Sequence, residues 1–257
     1  MINIGEREEK KTMNLEKIIA VRSNKTVYRD GKYAVKVFAE GYPKADILGE
    51  AANHSRAEET GLLVPTIKDI HVIDGKWAIV TEFIQGKNLA VLMEENPGKT
   101  EEYLELLAAI QLEISSKTCR RLSKVTDRLS RKICGSELNA TVRYGMHTRL
   151  EAMPKHTKLC HGDLRPENII ITDEGKAYIL DWSHAAQGNA SADVANTCIR
   201  FVLDGKHELA TRYLEIYCEK SGTTEEYVRS WIPMVAAALS VDALENDKKA
   251  LFEMASR

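Results

Sequence analysis

The sequence predicts an α+β protein: a strand-rich first third with one main helix, then a longer and mostly helical remainder. Three observations carry this. Short β-branched and aromatic segments crowd the first third. Apolar residues recur at helical spacing over much of the rest. Asp-Gly and Ser-Gly pairs punctuate both parts as turns. The 257 residues suffice for one large domain or two modest lobes.

Strands are expected at residues 18–22, 25–29 and 33–38, with Asp30-Gly31 as a tight turn between the last two. Pro43 opens a helical segment that runs to about residue 60 and is closed by Gly61. Two further strands, near 66–73 and 77–83, are split by Asp74-Gly75. Gly86 marks the expected boundary between an N-terminal lobe, 1–85, and a helical C-terminal lobe, 86–257. In the latter, Leu104, Leu107, Ala108 and Leu112 give residues 101–114 one buried face. Further helices are expected at 137–152, 192–203, 207–220, 225–239 and 241–254, with turns at Asp204-Gly205 and Ser221-Gly222.

The most informative stretch is Cys160-His161-Gly162-Asp163-Leu164-Arg165-Pro166-Glu167-Asn168, followed by Ile179-Leu180-Asp181-Trp182. It offers an acid, an amide and a second acid. Asp163 can accept a hydroxyl proton, while Asn168 and Asp181 supply hard oxygens of the kind Mg²⁺ takes beside waters and phosphates. Residues 169–171 and 177–180 read as two short buried strands joined by Asp173-Glu174-Gly175. A hairpin there returns Asp181 to the side of Asn168.

The ordered pair His161-Gly162-Asp163-Leu164…Asn168 and Ile179-Leu180-Asp181-Trp182 resembles the catalytic and metal loops of the protein-kinase-like superfamily. More narrowly, it resembles the aminoglycoside phosphotransferase and choline kinase family. The resemblance implies a bilobal kinase-like fold: a small antiparallel β-sheet lobe with one main helix, then a larger helical lobe. It implies an ATP- and Mg-dependent transfer of the γ-phosphate to a hydroxyl of a small molecule. Asp163 would be the general base or orienting group, and Asn168 and Asp181 the metal ligands. Lys36, alternating with Val35 and Val37 in its strand, would hold the α- and β-phosphates, with Glu50 as its ion-pair partner. A solvent-facing lysine fits the same alternation. Arg165 would neutralise charge on the transferring group, or simply sit at the mouth of the site. The backbone of Glu82 and Ile84 would meet the purine. His161 would brace the loop, and Asp193 would support it from the next helix.

The sequence departs from protein kinases in its first turn. Ser23 and Asn24 stand where a Gly-rich loop would be, and they fit either phosphate binding or an ordinary hairpin turn. It also lacks a peptide-binding activation segment, since Asp181 and Asp193 are only a dozen residues apart. A catalytically silent nucleotide-binding module and an atypical protein kinase are the alternatives.

Composition excludes little and biases little. The net charge of −2 gives no general attraction to nucleic acid or anionic membrane. No apolar run approaches a membrane span of ~20 residues. The charged residues 1–13 lack a signal-peptide core, and Met13 is a possible start. Five scattered cysteines suggest reduced thiols and a cytoplasmic protein; a monomer or homodimer is expected, and the sequence favours neither. On the acceptor the sequence is thin. From Phe201 onward ten acids face seven bases, too mild an excess for a polycation trap. Trp182, Tyr213, Tyr217, Tyr227 and Trp231 are available for a choline-type cage, but aromatics at helical spacing are more often core. Residues 120–132 carry six bases against Asp127, suited to an anionic ligand or to a solvated helix face.

Overall fold

The computed structural model describes residue 15, residues 17–22 and residues 24–256. Five strands form an antiparallel sheet: β1 (Lys17–Arg22), β2 (Lys25–Asp30), β3 (Tyr33–Phe38), β4 (Ile67–Ile73) and β5 (Lys76–Glu82), in the order β1-β2-β3-β5-β4. Helix α1 (Lys44–Glu58) joins β3 to β4. The β4–β5 turn places Asp74 at φ 48° and Gly75 at φ 80°, two consecutive left-handed residues that suit the twist of a two-residue hairpin. One compact unit reaches to Leu48 and takes up Thr66–Phe83; the other holds Gly49–Pro65 and everything from Ile84 onward. In the first, Val35, Ala78 and Val80 form one cluster with Tyr28, Tyr33, Val37 and Ile73 packed against it, and Phe38, Ile47 and Ile79 are buried as well.

The second unit begins with β6 (Lys87–Asn88) and α2 (Leu89–Glu95), capped by the Asn88 side chain on the Val91 N–H. Then follow α3 (Thr100–Ser116), α4 (Val125–Cys134), α5 (Ala140–Ala152) and β7 (Lys158–Cys160). Strands β8 (Ile169–Ile171) and β9 (Ala177–Ile179) form the expected hairpin, with Ile169 opposite Ile179 and β6 on the outer edge. Strand β10 (Ala186–Gly188) pairs with β7. Helices α6 (Ala190–Leu203), α7 (His207–Ser221), α8 (Glu225–Arg229), α9 (Ile232–Leu239) and α10 (Glu245–Ala255) complete it. Their core contains Trp182, Tyr213 and Trp231, all fully buried. Gly86 sits where the chain crosses Ile171, and a β-carbon there would lie 2.3 Å from the Ile171 carbonyl oxygen.

The α+β expectation holds, with two corrections to its helices. Residues 225–239 are two helices rather than one. Pro233 stands in the first turn of α9, where its missing N–H is harmless, whereas mid-helix it would break the ladder. The last helix starts at Glu245 rather than 241. Helices α2 and α4 were not foreseen as elements. Among the described residues, no helix is long and apolar enough to cross a membrane.

Candidate active site

Strand β7 delivers the chain to His161, which is fully buried. Its ring donates through Nε2 to the Leu180 carbonyl (2.8 Å) and receives the Asp163 N–H at Nδ1 (3.3 Å). It also leans on Trp182, ring centroids 4.6 Å apart. One neutral tautomer satisfies both hydrogen bonds. Asp193, in the first turn of α6 and 3% exposed, accepts the backbone N–H groups of His161 (2.8 Å) and Gly162 (2.6 Å), and the Gln111 side-chain amide (3.1 Å). One turn further along α6, Asn196 donates to the Gly162 carbonyl (2.5 Å) and Thr197 to the Leu164 carbonyl (2.8 Å). The backbone of residues 161–164 is thus pinned on several sides, and the Asp163 side chain is what it presents.

Asp163 is itself held. Arg200, seven residues past Asp193 on α6, donates through Nε to its Oδ1 at 2.9 Å. Both side chains are less than a third exposed, so the pair is partly desolvated. The sequence pattern did not single out Arg200. Its signal is a polar stripe, Asp193, Asn196, Thr197 and Arg200, at helical spacing in a mostly apolar helix.

Asn168 closes a short 3₁₀ turn and is buried. Its Nδ2 donates to the Asp163 carbonyl (2.9 Å), which turns Oδ1, the atom a hard cation takes, the other way. The Leu180 N–H donates to the Asn168 carbonyl (2.8 Å), so the hairpin does bring Asp181 back beside it. Asp181 adopts the left-handed region, φ 58° and ψ 61°, a conformation costly for a non-glycine residue and concentrated at functional sites. From α1, the Asn53 amide donates to the Ser183 carbonyl (3.2 Å) and steadies the turn that follows. An amide oxygen and a carboxylate fit Mg²⁺, which shares its shell with waters and phosphates rather than needing a protein cage.

Arg165 is placed differently from Asp163. Its Nε lies 3.0 Å from Glu167 Oε2 and its Nη2 lies 3.8 Å from Asp204 Oδ2, so two carboxylates already balance it. On the nucleotide side, Lys36 lies on β3 opposite Val27 and Ile79, with Val35 buried beside it. Glu50 lies on α1. Asn24 is exposed at the β1–β2 turn, where its carbonyl receives the Ala39 N–H (2.9 Å). Ser23 lies outside the described residues. The Glu82 N–H donates to the Thr66 carbonyl (3.0 Å), so that amide belongs to the sheet; Ile84 follows as irregular chain.

The helical unit also holds a cavity of about 90 Å³ against the catalytic loop, open to solvent at its mouth. Arg128 and Lys132 of α4, Asn196 and Arg200 of α6, Gly162 and His184 line it. Arg128 donates to the carbonyls of His184 and Ala185 (3.1 Å) and to His184 Nδ1 (3.1 Å). Part of the His184 surface is open, yet desolvation by its crowded neighbours, and then the Arg128 guanidinium, pushes its pKa down to about 4. The aromatics have no part in this cavity: Trp182, Tyr213, Tyr217 and Trp231 are at most 2% exposed in the core.

A sequence model of the phosphotransferase enzyme family matches residues 15–231. No curated protein matches the chain. Among solved structures, a thermostable aminoglycoside phosphotransferase APH(4)-Ia in ternary complex with AMP-PNP and hygromycin B is similar at TM-score 0.69 and 16% identity. That likeness covers 93% of this chain and 90% of the other. A choline/ethanolamine kinase family protein from Mesorhizobium loti gives 0.64 and 16%, covering 95% and 87%. The choline kinase LicA from Streptococcus pneumoniae gives 0.62 and 16%, covering 95% of each chain. At such identities the likeness establishes the fold, which is the α+β, protein-kinase-like one the sequence predicts.

Proposed function

We propose that this chain, which belongs to the phosphotransferase enzyme family, transfers the terminal phosphoryl group of ATP to a hydroxyl of a small molecule. The observation that carries the reading is the joint placement of Asp163, Asn168 and Asp181. One amide side chain holds the Asp163 backbone, and one hairpin bond returns Asp181 to it. The AMP-PNP in the aminoglycoside phosphotransferase complex supports a nucleotide as donor.

In this reading Asp163 orients the acceptor hydroxyl and takes its proton. Arg200 holds Oδ1, and Oδ2 has no hydrogen bond among the described residues, so Oδ2 is the receiving atom. As the acceptor oxygen bonds to the γ-phosphorus, the bond from that phosphorus to the oxygen of departing ADP breaks. Asn168 Oδ1 and the Asp181 carboxylate would hold Mg²⁺, which would offset the charge of the phosphates. Lys36 is assigned to the α- and β-phosphates with Glu50 as its partner, and Asn24 is assigned to them as a further donor. The backbone at Glu82 and Ile84 receives the purine. The fixed loop contributes by orientation, since it is held before the substrate arrives.

The test is ATP consumption with Mg²⁺ against small alcohols, amino alcohols, sugars and aminoglycosides, with peptides as controls. Asp163→Asn should lower kcat by roughly 10²–10⁴-fold with the active acceptor. Equal turnover by wild type and Asp163→Asn would remove Asp163 from the reaction. Turnover with peptides alone would turn the reading toward a protein kinase.

A further inference from the structure

We infer that the acceptor is an anion: a small hydroxylated molecule bearing a phosphate or carboxylate group, held by Arg128 and Lys132, with Asn196 receiving one of its hydroxyl donors. The inference rests on the phosphotransferase reading and names the substrate class for it.

Charge is the first argument. Three of the cavity's lining side chains are cationic, Arg128, Lys132 and Arg200. Its one acid, Asp193, is buried and fully engaged with backbone amides and Gln111. Lys132 is balanced by Asp242 at 2.6 Å, and Arg200 by Asp163. Arg128 has no carboxylate within ion-pair distance among the described residues. Its partners are two carbonyls and a histidine ring that stays neutral, which satisfy donors without cancelling charge. A partly buried guanidinium without a counter-charge is costly, and an incoming anion removes that cost. Desolvation, then Arg131, accordingly holds the Arg128 pKa below the usual arginine value.

The second argument is an orphaned atom. Asn196 lines the same cavity and is 6% exposed, and its Oδ1 has no hydrogen-bond partner. Its Nδ2 is committed to the Gly162 carbonyl, so Oδ1 is left to accept. A buried acceptor without a donor is costly, and a polyol hydroxyl supplies the donor. Arg200 connects this wall to the reaction, because it lines the cavity and grips Asp163.

The third argument concerns the geometry of recognition. Arg128 and Lys132 are one turn apart on α4 and face one cavity. A guanidinium fork and an ammonium side by side are a common way to hold a tetrahedral or planar oxyanion. An ammonium-bearing acceptor would meet like charges here, and among the described residues no Phe, Tyr or Trp side chain lines this cavity to offer it a ring face.

The experiment is calorimetric titration of the full chain with two matched sets. The small set is glycerol 3-phosphate, glycerate, glycerol and choline; the larger is glucose 6-phosphate, gluconate and glucose. Wild type, Arg128→Gln and Lys132→Gln are compared, each with its thermal midpoint. The expected result is at least one anion binding at least about tenfold tighter than its neutral counterpart and than choline. Arg128→Gln should remove most of that advantage and Lys132→Gln part of it. Should Arg128→Gln fail to fold, Lys132→Gln decides, because Lys132 is a third exposed at the cavity edge. Binding of phosphates alone or of carboxylates alone supports the inference and names the group. Overturning it takes any of three results: no anion binds, neutral or cationic compounds bind as well, or the anions bind wild type and variants alike. The phosphotransferase reading fails by a different sign, namely no Asp163-dependent ATP consumption with any acceptor and no binding of Mg·ATP. An aminoglycoside or choline turned over only when Asp163 is intact would keep that reading and sink this one.

Discussion

At Gly162 the chain turns with φ 82°, and a β-carbon there would lie 2.3 Å from the His184 carbonyl oxygen. Space and backbone both demand glycine at the residue before Asp163. Gly162→Ala should therefore cost more than the roughly 1–2 kcal/mol of a left-handed backbone alone, read as a lowered thermal midpoint. It should also displace Asp163 and depress activity more than it depresses folding. Two arginines allow a cleaner contrast. Arg200 touches Asp163, whereas Arg165 is tied to Glu167 and Asp204. Arg200→Gln should lower kcat by at least about tenfold, the effect of losing one charge-assisted hydrogen bond. Its pH profile should shift too, which a purely structural loss would not produce. Arg165→Gln should leave kcat within about threefold, because it removes a half-buried ion pair that does not touch Asp163. Equal losses in the two variants would contradict the assignment. His184 gives a pH dependence. Its folded pKa, about 4, lies below the unfolded value near 6.5. The neutral ring is thus the folded form, and its contribution is complete above pH 6.5 and lost as the pH falls toward 4. The thermal-midpoint difference between wild type and His184→Gln should shrink over that window and stay constant above it.

Among the elements, α6 does the most for the site, through Asp193, Asn196, Thr197 and Arg200 on one flank. Asp193 accepts three donors in the interior, so Asp193→Asn exchanges an acceptor for a donor that faces backbone N–H groups. A loss of roughly 1.5–3 kcal/mol for each bond to a charged acceptor sets the scale, and thermal unfolding measures it. A midpoint unchanged within error would mean the carboxylate is dispensable. The division between what could be read from the sequence and what could not follows from the range of the interactions. The β8–β9 hairpin was legible because Ile169-Ile170-Ile171, Asp173-Glu174-Gly175 and Ala177-Tyr178-Ile179 are a local pattern. The bracing role of His161 was legible only through the family resemblance. The Arg200–Asp163 pair spans 37 residues, and Arg128 reaches the His184 carbonyl across 56, so no local period reveals either. The basic stretch at 120–132 was ambiguous for the same reason. Arg121 pairs with Glu59 and Lys132 with Asp242, so its residues divide among partners that only the fold supplies.

On the scale of the molecule, the two units differ most in how much they bury. The sheet unit buries Val35, Phe38, Ile47, Ala78, Ile79 and Val80, and its edge strand β1 leaves Ile18, Ile19 and Val21 exposed at 56%, 42% and 62%. The helical unit centres on Trp182, Trp231 and Tyr213, each at 0%, with α3, α6, α7 and α9 packed around them. Each buried large side chain contributes roughly 1.5–3 kcal/mol, so the difference in core size outweighs any difference in strand or helix propensity. Local opening follows burial, and amide hydrogen exchange reads it directly. Amides of β1 and β2 should exchange far faster than those of α6 and α9, by about tenfold for every 1.4 kcal/mol of local stability. The catalytic loop is the informative intermediate. It is irregular chain, and irregular chain normally exchanges fast. Here, though, the N–H groups of His161 and Gly162 end on the buried Asp193. Those two amides should exchange with α6 rather than with the other loops, and Asp193→Asn should release them selectively. Fast exchange at both in the wild-type chain would mean that Asp193 does not hold the loop, and with it would go the argument that Asp163 is positioned before substrate arrives.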